Sequence, residues 1–486
     1  MNIKMVMRIV AYILVLEIGL MIPACLISAV DGEWVSVHAF LVSFVIIGIV
    51  AGIILLLTRK AEKGHFYSRE GLVTTGLTWI FMSALGCLPF VISGEIPHYI
   101  DALFEMVSGF TTTGSSILTD VEAMSRGMLW WRSFSHWVGG MGILVFLMAI
   151  VTLGGKNQGF TMHIMRAESP GPASGKIVPK MKQTAKITYL IYMGLTLLDI
   201  IFLVAGGMPL FDACTCAFGT AGTGGFGIKA DSMASYSPYL QNVTTVFMLL
   251  FSVNFSIYFL ILTGRIKDAF CDQEFKLFWA TVFAAIALIT VNIRPLYDTL
   301  ATALRHAAFT VGTIISTTGY ATTDFNLWPS FSKTIILFLM LVGACAGSTG
   351  GGIKQVRVLI LFKSLRRNIH KFLHPSEVCK IGYNGRAMDE SIISNINAYL
   401  IAYVMIIVAS VLIVSLDGFS FETNFSAVMA TFNNIGPGLD AVGPTSNFFA
   451  YSDLSKIVLT MDMLAGRLEI MPILILFSAS TWKKAR

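Results

Sequence analysis

Charge is scarce in this chain. Asp, Glu, Lys and Arg make up 13% of its 486 residues, against roughly 25% in a soluble globular domain. Hydrophobic residues reach 55% and mean hydropathy is +0.74. No hydrophilic stretch is long enough for a soluble domain of any size, so an integral membrane protein is the only class left. Seven cysteines, scattered and mostly inside apolar runs, give no C-x-x-C pair and no even framework, and imply neither a metal nor a disulfide. No metal-binding spacing is read among the eight histidines either, so a metalloenzyme is not expected. A cleavable leader is not expected either. Ile9 to Val30 follows Lys4 and Arg8 but carries Glu17 and no small-x-small site, and it reads as a spanning helix.

What the chain has in quantity is spanning-length apolar sequence. Spans are predicted at about 8–30, 35–57, 71–93, 128–152, 186–206, 238–263, 275–292, 332–362, 391–416 and 453–481. The basic residues are one-sided. Only Arg126, Arg132, Lys229, Arg294, Arg305, Lys333 and Lys456 fall in one set of alternating connections, and Arg467 lies within the last apolar run. The remaining Lys and Arg fall in the tails and the other connections, which places both termini in the cytoplasm. The opposite side carries acids, among them Asp31, Glu33, Glu95, Asp101, Glu105 and Asp440, expected as a negative outer mouth that concentrates cations.

Between the spans, four outer segments end in turns of small polar residues: Thr111, Thr112, Thr113, Gly114; Gly222, Thr223, Gly224, Gly225; Ser316, Thr317, Thr318, Gly319; and Asn433, Asn434, Ile435, Gly436. A monovalent cation sheds its water only where a ring of carbonyl oxygens replaces it. Carbonyls turned inward need backbone angles that glycine adopts freely, and non-helical backbone at membrane depth is tolerated where it lines a wet cavity. Small residues packed between helices are the plainer reading of any single turn; four in equivalent slots favour a pore. The fold expected is an all-α integral membrane protein: four pseudo-fourfold repeats of helix, pore loop and helix around one central pore, plus an N-terminal helix pair. The divisions are 1–66 for the pair and 67–156, 157–268, 269–386 and 387–486 for the repeats.

The segments Gly109-Phe-Thr-Thr-Thr-Gly-Ser-Ser, Phe218-Gly-Thr-Ala-Gly-Thr-Gly-Gly-Phe-Gly and Ile315-Ser-Thr-Thr-Gly-Tyr, with the run Gly343-Ala-Cys-Ala-Gly-Ser-Thr-Gly-Gly-Gly-Ile-Lys, resemble those of the Trk/Ktr/HKT superfamily of potassium transporters, and of its bacterial TrkH family from end to end. That resemblance implies K+ held at the four turns, with each turn's glycine tied to selectivity. It also implies a homodimer in the bacterial inner membrane and a cytosolic TrkA-like nucleotide-binding regulatory ring, so that any nucleotide belongs to the partner. The fourth turn departs most from the threonine-rich pattern.

The run at Gly343, Gly347, Ser348, Thr349, Gly350, Gly351 and Gly352 breaks the eighth span, because each glycine inside a helix costs about 1 kcal/mol relative to alanine. A loop there suits a gate, and the resemblance implies the intramembrane loop that closes the inner side of the pore. Arg467 is expected either as an electrostatic barrier beneath the turns or as the partner of Asp462, Glu469, Asp199 or Glu17. Two motifs are decoys. Gly222 to Gly227 fits G-x-G-x-x-G with no strand before it, and Gly347 to Lys354 fails the P-loop pattern. The basic stretch Lys363 to Lys380 suits anionic lipid or an acidic protein surface; no nucleic-acid partner and no cofactor of its own are expected. Channel-like potassium uptake is the leading reading, with a symporter coupled to H+ or Na+ as the alternative. A membrane enzyme lacks any convergent catalytic set.

Overall fold

The computed structural model describes residues 2–59, 67–142, 181–377 and 379–482. The second half of the predicted span 128–152, the start of the proposed division at 157, and Lys60, Lys63, Lys156, Arg166, Lys176, Lys180 and Lys483 to Arg486 lie outside the described residues. Helices dominate; the only strands among the described residues are Gly382–Tyr383 and Arg386–Ala387, paired antiparallel.

Among the described residues, six helices are long and apolar enough to cross a membrane. The first two, Ile3–Val30 and Trp34–Leu57, pack on each other. Trp34–Leu57 buries the spaced stripe Phe40, Ile47 and Ala51 and leaves Leu41, Val45, Ile49, Ile53 and Leu56 exposed. An apolar exterior of this kind has lipid as its solvent.

Four shorter helices lie deeper: Tyr99–Phe110, Leu210–Gly222, Leu300–Ile315 and Phe421–Phe432. Two begin at strong caps, where the Thr299 hydroxyl accepts from the Thr302 amide and the Ser420 hydroxyl from that of Thr423. Their C-terminal halves are wholly buried. Each is followed by another helix: Arg126–Gly140, Pro238–Ser252, Ser330–Val342 and Asp453–Arg467. Each of these inner helices packs against the short helix before it and against the next one along the chain, and Asp453–Arg467 closes the circle by packing on Tyr99–Phe110. The short helices and the helices that follow them thereby form one closed circuit of packing.

The inner helices also correct the predicted spans. At 238–263 the chain bends by 91° between Ser252 and Phe255, where the Asn254 side chain accepts from the Ser256 amide and starts a new helix. At 453–481 the helix stops at Arg467 and restarts at Met471, with Pro472 in its first turn. Gly466 at that break lies so close to the Phe432 carbonyl that an added Cβ would overlap it. The break foreseen at 343–352 is present: one helix ends at Val342 and the next starts at Gln355. The other breaks carry too little glycine to be visible as composition.

Candidate ion pathway

All four short helices end in one backbone device. Thr112, Thr223, Thr317 and Asn434 are left-handed, with φ of 55°, 57°, 61° and 55°, and each donates its amide three residues back, to Gly109, Thr220, Ile314 and Thr431. The following residue donates five residues back: Thr113 to Ser108, Gly224 to Gly219, Thr318 to Thr313 and Ile435 to Ala430, at 2.8 to 2.9 Å. This pair of bonds is the Schellman helix stop. Glycine usually takes its left-handed position, and a side chain with a Cβ there costs of order 1–2 kcal/mol. The surroundings hold these side chains in place. Thr223 Oγ1 donates to the Gly222 carbonyl at 2.6 Å, and Asn434 Nδ2 donates to Thr113 Oγ1 at 2.8 Å and to the Met463 carbonyl at 3.0 Å.

Two residues further on, Gly114, Gly225, Gly319 and Gly436 take φ of 81°, 74°, 90° and 99°. A Cβ on Gly114 would overlap the Gly224 carbonyl, one on Gly225 the Thr318 carbonyl, and one on Gly319 the Ile435 carbonyl; one on Gly436 would come within 2.9 Å of the Thr113 carbonyl. In every case the obstacle is the carbonyl just before the equivalent glycine of the next turn. The four turns therefore close edge to edge, in chain order, into a ring. Thr113, Gly114, Gly224, Gly225, Thr318, Gly319, Ile435 and Gly436 make these contacts, and the other residues of each turn lead into them along the chain. The fourth turn falls into register despite its sequence, because it meets Gly319 through the Ile435 carbonyl; Ile435 turns its side chain into the apolar cluster with Ile314 and Cys345.

The carbonyl ends of four helices thus meet at one place, and their dipoles favour a cation there. The same fact disposes of the dinucleotide pattern at Gly222 to Gly227: phosphates bind helix N-termini, whereas this run follows a helix C-terminus.

Behind the ring stand residues the sequence reading missed or misplaced. Glu105 and Asp101, expected as mouth acids, are buried in ion pairs, Glu105 with Arg132 at 2.6 Å and Asp101 with Lys456 at 2.6 Å. Glu105 also accepts from the Ser116 hydroxyl and the Ile117 amide, both at 2.9 Å. Arg132 reaches the Gly227 carbonyl at 2.9 Å and covers the Phe226 ring at 3.5 Å. One ion pair therefore braces the chain leaving the first turn against that leaving the second. His136 joins the same two turns. Its Nδ1 lies 2.7 Å from the Gly109 carbonyl, a pure acceptor, and its Nε2 accepts the Phe226 amide at 3.2 Å, so the proton resides on Nδ1. Charged residues inside otherwise apolar stretches were the available signal for this set.

The loop after Val342 lies directly against the ring. The Gly351 amide donates to Thr317 Oγ1 at 2.7 Å, and a Cβ on Gly351 or Gly350 would run into the carbonyls of Asn433 or Ser316. The carbonyls freed by the 91° bend hold the loop from another side: Ser252 accepts the Cys345 amide at 3.1 Å and Phe251 the Thr349 hydroxyl at 3.2 Å, while the Phe255 amide donates to Gly347 at 3.0 Å. The Ser348 hydroxyl caps within the loop on the Cys345 carbonyl. Arg467 donates to the Thr349 carbonyl at 2.7 Å and to those of Gly139 and Gly140 at 2.6 and 2.7 Å. Of the acids considered as its partners, Glu469 pairs with Arg357 and Asp462 accepts from Ser410, while Glu17 and Asp199 are buried away from it without a hydrogen-bond partner. Glu274 is fully buried and accepts the amides of Ala346 at 2.7 Å and Val356 at 3.0 Å, holding both ends of the loop.

A multi-pass helical membrane protein whose backbone carbonyls converge from four turns, with an irregular loop pressed on one face of the ring, belongs to the class of membrane ion-transport proteins. The chain belongs to the TrkH family of cation transport proteins, whose model matches residues 38–484. It is 34% identical to the Trk system potassium uptake protein TrkH of Salmonella typhimurium over the full length of both chains. It is 31% identical to TrkG of Escherichia coli over 92% of each. The crystal structure of the potassium transporter TrkH from Vibrio parahaemolyticus superposes with a TM-score of 0.88 at 30% identity, covering 99% of this chain and 100% of that one.

Proposed function

We propose that this protein takes up potassium across the bacterial inner membrane through a channel-like pathway, with both termini cytoplasmic. Its relatives are named as potassium uptake proteins, and the observation that carries the mechanism is the closed ring of four glycine turns. The residues proposed to bind K+ are Thr111 to Gly114, Gly222 to Gly225, Ser316 to Gly319 and Asn433 to Gly436, acting through carbonyls that replace the ion's hydration shell. The sequence divisions 67–156, 157–268, 269–386 and 387–486 are proposed to contribute one turn each.

Gating is assigned to the loop Gly343 to Gly352 together with Arg467. With its guanidinium on three carbonyls at the loop and at the end of Arg126–Gly140, Arg467 is both a latch and a positive charge on the cation's route. A conducting state requires the loop to leave Thr317 and Arg467 to release Thr349. The force for that movement is proposed to come from a cytosolic TrkA-like nucleotide-binding ring acting on a homodimer, in keeping with the name "Trk system" borne by the relatives.

Coupled symport with H+ or Na+ keeps one observation in its favour: the carboxylates of Glu17 and Asp199 are buried and have no hydrogen-bond partner, and such groups inside a membrane are often functional. Reconstituted vesicles separate the readings. Potassium uptake driven by voltage alone, with no proton or sodium gradient, is the expected result; uptake that stops without such a gradient would replace the channel with a symporter.

A further inference from the structure

The helix that carries the chain away from the gate loop, Gln355–Leu373, ends at a cluster with no part in the pathway. His370 and His374 stand one turn apart, a spacing the sequence reading overlooked, and their rings lie 4.8 Å apart by centroid. Past Pro375 the chain doubles back. His370 Nε2 lies 2.9 Å from a Glu377 carboxylate oxygen, and the Cys379 sulfur joins them so that one donor atom from each of the three falls within 4.8 Å of the others.

We propose that His370, Glu377 and Cys379 form a binding site for a thiophilic divalent cation of the zinc class. A His–Glu pair alone is ordinary surface chemistry; the thiol converging on it changes the donor set. Imidazole, carboxylate and thiolate together match zinc, whereas calcium and magnesium require oxygen ligands. Three protein ligands leave a fourth tetrahedral position for water or for His374 after a ring rotation. Half-exposed His370 and exposed Glu377 give the ion a route from solvent. Contraction from the present separations to bonding distance asks only for side-chain movement at a helix end.

The position gives the site a consequence. At its other end the same helix is tied to the gate region through the Val356 amide on Glu274 and through Arg357 on Glu469. Beside the cluster, Lys363 Nζ donates to the Gly382 carbonyl at 2.7 Å, fixing the short hairpin to the helix. A metal bridging the helix end and the returning chain braces that whole segment. The site is independent of the transport reading, since none of its residues touches the ring.

The test uses the full-length chain with its purification tag removed, stripped by chelator, offered Zn2+ and desalted. One zinc per chain is expected by elemental analysis. With Co2+ as probe, thiolate-to-cobalt charge-transfer absorption is expected, lost in Cys379→Ser and kept in Cys271→Ser, whose thiol is exposed on another helix; His370→Ala should weaken binding at least ~10-fold. Failure to retain zinc overturns the site, as does a charge-transfer band that survives Cys379→Ser. Should that variant not assemble, alkylation of the unaltered chain reads the same site: zinc should protect Cys379 and not Cys271, and equal labelling with and without zinc refutes it.

Discussion

Gly319 offers the sharpest separation between backbone strain and loss of space at the ring. Its φ is 90°, and an added Cβ would overlap the Ile435 carbonyl and come within 3.0 Å of Pro437 Cδ. Gly207 has nearly the same φ, 87°, with nothing within 4 Å of the position a Cβ would take. Alanine at either site costs about 1–2 kcal/mol for the left-handed conformation. At Gly319 alone, the neighbouring turn must also yield, at a further ~1–3 kcal/mol typical of overpacking. The sum of ~2–5 kcal/mol lies at or below the roughly 5–15 kcal/mol that holds a folded protein together, so assembled protein should persist. Its ring, however, is displaced where the ion must be held. Since each ~1.4 kcal/mol added to a barrier slows passage tenfold, Gly319→Ala should lower potassium uptake by more than ~10-fold per assembled molecule, while Gly207→Ala stays near the unaltered rate. The assay is voltage-driven uptake into vesicles, normalised to folded protein by size-exclusion chromatography. Equal rates for the two variants would refute the reasoning, because space at the ring would then have no bearing on flux.

Three other perturbations probe the surroundings of the ring. Arg467→Gln removes the cation and most of the grip on Thr349, Gly139 and Gly140; basal uptake without any cytosolic partner should rise several-fold, and an unchanged or lower basal rate counts against a latch. Glu274→Ala strands the buried amides of Ala346 and Val356, a loss of about 1–3 kcal/mol each, so protease nicking within 343–354 should accelerate while Glu274→Gln, which keeps an acceptor, stays close to the original pattern. Arg132→Ala leaves Glu105 charged and buried, costing about 3–5 kcal/mol, and should lower the yield of assembled protein and its Tm; Arg132→Ala with Glu105→Gln should recover part of the loss. A single variant as stable as the original would mean that the pair carries no structural weight.

Composition determined the class. A chain with so little charge and so many long apolar runs has no soluble alternative, and the four turns were legible because any backbone that must leave the helix beside a carbonyl ring needs glycine, which leaves a mark in sequence. The break at Gly343 to Gly352 was legible for the same reason. What sequence left hidden has one physical origin: it depends on what stands opposite. The bend at Asn254 and the halt after Arg467 are marked by no more than a single Asn cap and a single Pro472 within long apolar stretches, a far weaker signal than the glycine run. Asp101 and Glu105 look like mouth acids until Lys456 and Arg132 are seen against them from far along the chain. The ring itself is a fact of tertiary structure. Each turn could be read alone, but their order, and the closing of the fourth on the first, follow from how the inner helices wedge between successive short helices, a relation fixed by packing between distant parts of the chain.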